Sequence, residues 1–179
     1  MRIISGIFKG RRITAPKKLP VRPTTDMAKE ALFNILNNQY YLDEISILDL
    51  FAGTGNISYE FASRGTTSIT AIDENYGCIK FIMETAETFD MPITTIKSDV
   101  FKFLENSKLK YDVIFADPPY NFDLETFSTI PDLVFKNSLL ADNGILIVEH
   151  SKHTDLSELH HYSHTKNYGG NAFSFFSIN

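Results

Sequence analysis

Between Ile45 and His150 five short apolar runs, ISILDLFAG, TSITAID, PITTIKSD, YDVIFADPPY and NGILIVEH, are separated by stretches of helix length. Strands alternating with helical crossovers imply a parallel, doubly wound sheet, so the fold class is α/β. The end of the chain breaks this pattern, because LHHYSHTKNY and NAFSFFSIN are extended and separated only by Gly169-Gly170. A turn that tight forces at least one antiparallel strand, which gives a seven-stranded, mostly parallel sheet ending in an antiparallel hairpin. A chain of 179 residues suits a single domain with a small extension.

In such sheets ligands bind beyond the carboxyl ends of the strands, near the point where strand order reverses. The first strand ends in LDLFAGTGNIS, where Gly53 and Gly55 permit a tight turn and a close ligand approach. A dinucleotide fingerprint would need a third glycine where Ser58 stands, and Asp49 beside the loop would repel phosphates but welcome a cation or an amino group. Asp73 closes the second strand, where a carboxylate can accept from both ribose hydroxyls, and Asp99 ends the third, where it can accept from an exocyclic adenine amine. Adenosine joined to a positive centre and an amino-acid tail meets these demands. That compound is S-adenosylmethionine.

The fourth strand stops on Asp117-Pro118-Pro119-Tyr120. Each proline fixes its own φ and restricts the residue before it, so the tip is rigid and holds a carboxylate, a carbonyl and a ring in fixed relation. The exocyclic amine of a nucleobase is a poor nucleophile because its lone pair is delocalised. Asp117 and the Pro118 carbonyl can each accept one N–H, localising that pair and favouring the positive charge that grows during transfer. Tyr120 offers a face on which the base can stack.

Residues 1 to 30 carry eight Lys and Arg against Asp26 and Glu30, a net +6, whereas the rest of the chain has nine basic and twenty acidic groups, a net −11. A basic arm on an acidic body suggests local contact with phosphates. MRIISGIFKGRRITAP reads as a β-hairpin or two short strands outside the main core. Next, RPTTDMAKEALFNIL reads as a helix capped by Thr24, Thr25 or Asp26, with Met27, Ala31, Leu32, Ile35 and Leu36 at helical spacing. A boundary between Pro20 and Pro23 divides an arm of residues 1–22 from a catalytic domain of residues 23–179. The single cysteine suits a reducing cytosol, the five histidines match no zinc spacing, and neither a membrane span nor a secretory signal is expected.

MRIISGIFKGRRI, RPTTDMAKEALFNIL, ILDLFAGTGNISYEFASRG, IDEN, SDVFKFL, YDVIFADPPY, GILIVEH and KNYGGNAFSFFSI span nearly the whole chain. In these segments it resembles the RsmD-type methyltransferases, which modify the exocyclic N2 of a guanine in small-subunit ribosomal RNA. The resemblance implies a Rossmann-like class I methyltransferase fold with S-adenosylmethionine as cofactor. Asp49, Phe51, Gly53, Thr54 and Gly55 would meet the cofactor's methionine end, Asp73 with Glu74 its ribose, and Asp99 with Val100 its adenine. Thr24 and Thr25 would lie near the cofactor tail. Asp117, Pro118, Pro119 and Tyr120 would position the target amine, while Arg2, Lys9, Arg11, Arg12 and Arg22 would contact RNA. A cytoplasmic monomer acting on ribosomal RNA within the small subunit, with no metal and no membrane, completes the expectation. The chain departs from the family at Asn167, where arginine usually precedes Tyr-Gly, and at Asn171-Ala172, where a threonine usually stands.

Two rivals share much of this pattern. An adenine-N6 methyltransferase would keep every core residue but would need a target-recognition segment beyond the first 25 or so residues. A non-catalytic RNA-binding module would tend to lose the prolines or the glycines, and both are present here.

Overall fold

A computed structural model describes residues 1–19 and 24–178. The five runs form β1 (Ser46–Leu50), β2 (Ser68–Asp73), β3 (Ile93–Lys97), β4 (Tyr111–Ala116) and β5 (Leu140–Ser151), followed by β6 (Tyr162–Tyr168) and β7 (Asn171–Phe176). Between and before them lie α1 (Asp26–Asn37), α2 (Asn56–Ser63), α3 (Tyr76–Thr88), α4 (Val100–Asn106) and α5 (Leu124–Lys136). They build one seven-stranded sheet in the order β3-β2-β1-β4-β5-β7-β6. Strands β1 to β5 run parallel, and β7 is antiparallel to both of its neighbours. The hairpin therefore folds back so that its second strand enters the sheet beside β5.

Period-two alternation sends neighbouring side chains to opposite faces. On β4, Val113 and Phe115 join a core with α1, α2 and α3, while Ile114 and Ala116 join a second core with α4 and α5. Both faces are covered, which is why the central strands read as unbroken apolar runs. The order reverses between β1 and β4, whose tips are in register at Leu50 and Ala116.

The arm corrects one expectation. Ile3 and Ile13 are buried and belong to the core beneath α1 and α2, so the arm packs into the main body instead of lying outside it. Arg2 and Arg12 form an antiparallel bridge, and Glu60 on α2 accepts from the backbone N–H groups of Ile4 (2.8 Å) and Ser5 (3.0 Å). Two β-branched residues at the ends of the paired segment are the physical reason, since each gains by burial. The arm–body boundary at residues 20–23 lies outside the described residues.

Helix α1 also presents a different face from the apolar set in its sequence. Ala28, Lys29, Leu32, Phe33 and Leu36 are buried, whereas Met27 is exposed. Lys29 turns inward because its ammonium finds the Arg2 carbonyl (2.6 Å), Asn56 Oδ1 (2.8 Å) and Glu60 (3.4 Å).

Candidate active site

The carboxyl ends of β1, β2 and β4 open onto a cavity of about 440 Å³. After β1 the chain places Phe51, Gly53 and Gly55 in the left-handed region, with φ of 58°, 55° and 84°. For a bulky residue such as Phe51 that conformation costs on the order of 1–3 kcal/mol, and such strain gathers at functional sites. Gly55 has a second constraint, because an added Cβ would lie 2.8 Å from the Tyr59 ring and 2.9 Å from Ile82. A substitution at Gly55 would push α2 away from α3.

Asp49 is almost wholly buried at the cavity wall and accepts a 2.6 Å hydrogen bond from Ser58 Oγ. Burial pushes its carboxyl up to about 7, against the opposing pull of the Ser58 hydrogen bonds. Asp73 accepts from the Gly53 N–H (2.9 Å) on one oxygen and from the Asn75 N–H (2.8 Å) on the other. Burial raises its pKa too, with those two bonds opposing. Since an ionised carboxylate offers about four acceptor positions, Asp73 retains capacity toward the cavity. Asp99 caps α4 by accepting from the Lys102 N–H (2.9 Å), which aims Val100 and Phe101 at the same space.

The tip of β4 closes the other side. The Asp117 N–H donates to the Leu50 carbonyl (3.3 Å), which ties the β1 and β4 tips together, and Asp117, Pro118, Pro119 and Tyr120 all border the cavity. Thr24, Phe51, Gly53, Thr54, Glu74 and Val100 border it as well. Gly55, at the N-cap of α2, and Thr25, whose Oγ1 accepts from the Ala28 N–H (3.2 Å) at the start of α1, stand behind the residues that border the cavity.

Of the expected RNA contacts, Arg2, Lys9, Arg11 and Arg12 are all exposed on the arm. Arg2 is paired with Asp26 (3.1 Å) and the Arg11 guanidinium lies 4.4 Å from the Phe89 ring centroid, so both are partly engaged within the chain. Arg22 lies outside the described residues.

Phe51 is expected from the sequence but its partners are not: Phe51, Phe101 and Phe122 form an aromatic wall with centroid separations of 5.9 to 6.3 Å. Asn75, Cys78 and Glu149 also border the cavity. Glu149 had a visible signal, since an acid inside the run ILIVEH must be buried and therefore partnered.

The family model described as Conserved hypothetical protein 95 matches residues 1–177. The chain belongs to this family. It is 32% identical over 162 residues to the Ribosomal RNA small subunit methyltransferase D of Haemophilus influenzae, covering 85% of this chain and 79% of that relative. The solved structure of yhhF from Escherichia coli superposes with a TM-score of 0.85 at 28% identity, covering 98% of this chain and 96% of that one. A more distant structure, the Thermus thermophilus 16S rRNA N2 G1207 methyltransferase in complex with AdoMet and guanosine, shares the fold with a TM-score of 0.69 at 17% identity, over 90% of this chain and 45% of that one. The sheet order and the antiparallel hairpin are those of the S-adenosylmethionine-dependent methyltransferase fold.

Proposed function

We propose that this chain transfers a methyl group from S-adenosylmethionine to the exocyclic N2 amine of a guanine in small-subunit ribosomal RNA. The observation that carries the reading is the meeting of the Asp117–Tyr120 tip with the Asp49, Asp73 and Asp99 strand ends around one cavity. The residues fit the cofactor. A buried carboxylate at Asp49 suits its positive end, the spare acceptor capacity of Asp73 suits a ribose diol, and the aromatic wall beside Asp99 suits adenine. Bound there, S-adenosylmethionine supplies an electrophilic methyl group on its sulfonium.

The chain's own residues act on the nucleophile. Asp117 and the Pro118 carbonyl accept the two amine hydrogens and hold the lone pair toward the cavity, and Tyr120 supports the base from its face. The exposed side chains of Lys9 and Arg12 contact phosphates. A ribosomal RNA substrate puts the protein in the cytoplasm, where it acts as a monomer; no helix among the described residues is long and apolar enough to cross a membrane. Incubating the protein with labelled cofactor and unmodified small subunits, then identifying the methylated nucleoside, tests the reading. N2-methylguanosine is the expected product, N6-methyladenosine would favour the adenine enzyme, and no transfer would overturn both.

Asp49 makes cofactor binding depend on pH. With its carboxyl at about 7 in the free protein, a cationic ligand must draw off a proton before Asp49 can pair with it. Affinity should therefore fall as pH drops below about 7, approaching tenfold per unit, and stay level above it. Calorimetry in two buffers of different ionisation enthalpy should detect release of nearly one proton per cofactor at about pH 6. A flat affinity profile would remove Asp49 from the positive end. In the cofactor-free chain the fold prefers the neutral acid, so this group's contribution to stability falls as pH rises from 3.8 through about 7.

Replacing Lys9 and Arg12 together by alanine should lower the slope of log affinity against log salt by roughly 1.4 to 1.8, because two phosphate contacts release fewer counterions. Cofactor affinity should not change. An unaltered slope in filter binding across several salt concentrations would remove these two side chains from the RNA interface.

A further inference from the structure

Glu149 is 1% exposed, stands on β5 opposite Phe173 of β7, and borders the same cavity as Asp117. Among the described residues, donors from three separate elements converge on it. Thr24 Oγ1, just ahead of α1, donates to Oε2 (2.8 Å); Asn171 Nδ2, at the start of β7, donates to Oε1 (2.7 Å); and the Tyr120 hydroxyl, on the β4 tip, lies 3.5 Å from Oε1. Thr24 is held from its other side, because Asn56 Nδ2 donates to its carbonyl (3.1 Å) and Asn56 Oδ1 accepts from buried Lys29 (2.8 Å). An acceptor-only carboxylate suits this set of donors, whereas an amide would turn its own N–H groups toward at least one of them.

Resting on the methyltransferase reading above, we propose that Glu149 is a positioning residue for methyl transfer: it fixes the Tyr120 ring and the Thr24 end of α1 against the β4 tip, so that the target base meets Asp117 and Pro118 in a reactive pose. Glu149 itself does not touch the reacting atoms. Its effect passes through Tyr120, whose hydroxyl faces Glu149 Oε1 while its backbone follows the rigid Pro118-Pro119 pair. Asn171 completes the clamp from the start of β7, where its side-chain amide donates to Oε1. Small losses of alignment are costly for transfer, since the rate depends on the fraction of complexes in a near-attack geometry.

The test measures single-turnover transfer at saturating cofactor and RNA for Glu149→Gln, Tyr120→Phe and the double variant, beside the wild type. Glu149→Gln should slow transfer about tenfold to a hundredfold while cofactor affinity stays within about twofold. Tyr120→Phe keeps the ring and loses the hydroxyl, so the double variant should be no slower than about the slower single variant, since both act through one contact. A merely structural Glu149 would lower the melting temperature, leave the saturated transfer rate of folded protein unchanged and combine additively with Tyr120→Phe; any of the last two results overturns the proposal. Should Glu149→Gln fail to fold, Asn171→Ala decides: about threefold to tenfold slower transfer at unchanged cofactor affinity is expected, and wild-type transfer overturns the clamp. Absence of transfer to guanine by the wild type would instead overturn the methyltransferase reading, so the two failures are distinguishable.

Discussion

Replacing Asp117 by asparagine is expected to slow methyl transfer about a hundredfold to a thousandfold, with cofactor affinity nearly unchanged. Asparagine keeps the shape, and its carbonyl oxygen can still accept. Its backbone N–H can still donate to the Leu50 carbonyl, so the joined tips of β1 and β4 should survive. What disappears is the negative charge opposing the cation that develops on the attacked nitrogen, and the new amide also presents a donor toward the base. This interaction is strongest in the transition state, so kcat should fall more than KM rises. Single-turnover transfer at saturating cofactor and RNA reads the chemical step without interference from product release. Transfer at the wild-type rate would mean that Asp117 only ends a strand.

The parts of this architecture that follow from periodicity were open in the sequence. Alternating apolar runs gave the parallel order, Gly169-Gly170 gave the hairpin, and the strand-end residues Asp49, Asp73, Asp99 and Asp117 do meet at one cavity. Strand tips are legible because a parallel sheet sends every carboxyl end to one edge. Contacts between distant segments are not legible by the same means. Lys29 is one such case: a lysine at an interior helical position reads as solvated, and only the partners Glu60 and Asn56 on α2 and the Arg2 carbonyl on the arm explain its burial. Phe101 and Phe122 lie two residues beyond Asp99 and Tyr120, yet their shared wall exists only after β3 and β4 are brought to the same edge. The arm is a related case: its turn glycines and short apolar pieces read as a hairpin outside the core, whereas Ile3 and Ile13 carry it into the core and leave Lys9 and Arg12 outside.

The second large effect is expected at Glu60, which is fully buried and joins the arm to the body. Its two oxygens accept from the Ile4 and Ser5 N–H groups, from Arg64 Nε (2.8 Å) and from the Lys29 ammonium (3.4 Å). Glu60→Gln removes the only carboxylate that an ion pair gives to Lys29 among the described residues, and it turns an amide donor toward a set of donors. Removing one partner of a buried pair costs about 3–5 kcal/mol, because the remaining charge stays out of water without compensation. Urea unfolding should show that loss, and the Ile4 and Ser5 amides should exchange much faster with solvent as the arm detaches. Burial already holds the Lys29 pKa below its usual value, with Glu60 opposing the shift. Without Glu60 the ammonium should lose its proton more readily still. The folded variant then binds fewer protons than the unfolded chain, so its stability should partly recover as pH rises toward about 10. Pairing Glu60→Leu with Lys29→Met should cost less than the sum of the two single changes, because neither charge is left stranded. A loss below about 1 kcal/mol for Glu60→Gln, with the arm amides still protected, would show that burial of Ile3 and Ile13 alone holds the arm in place.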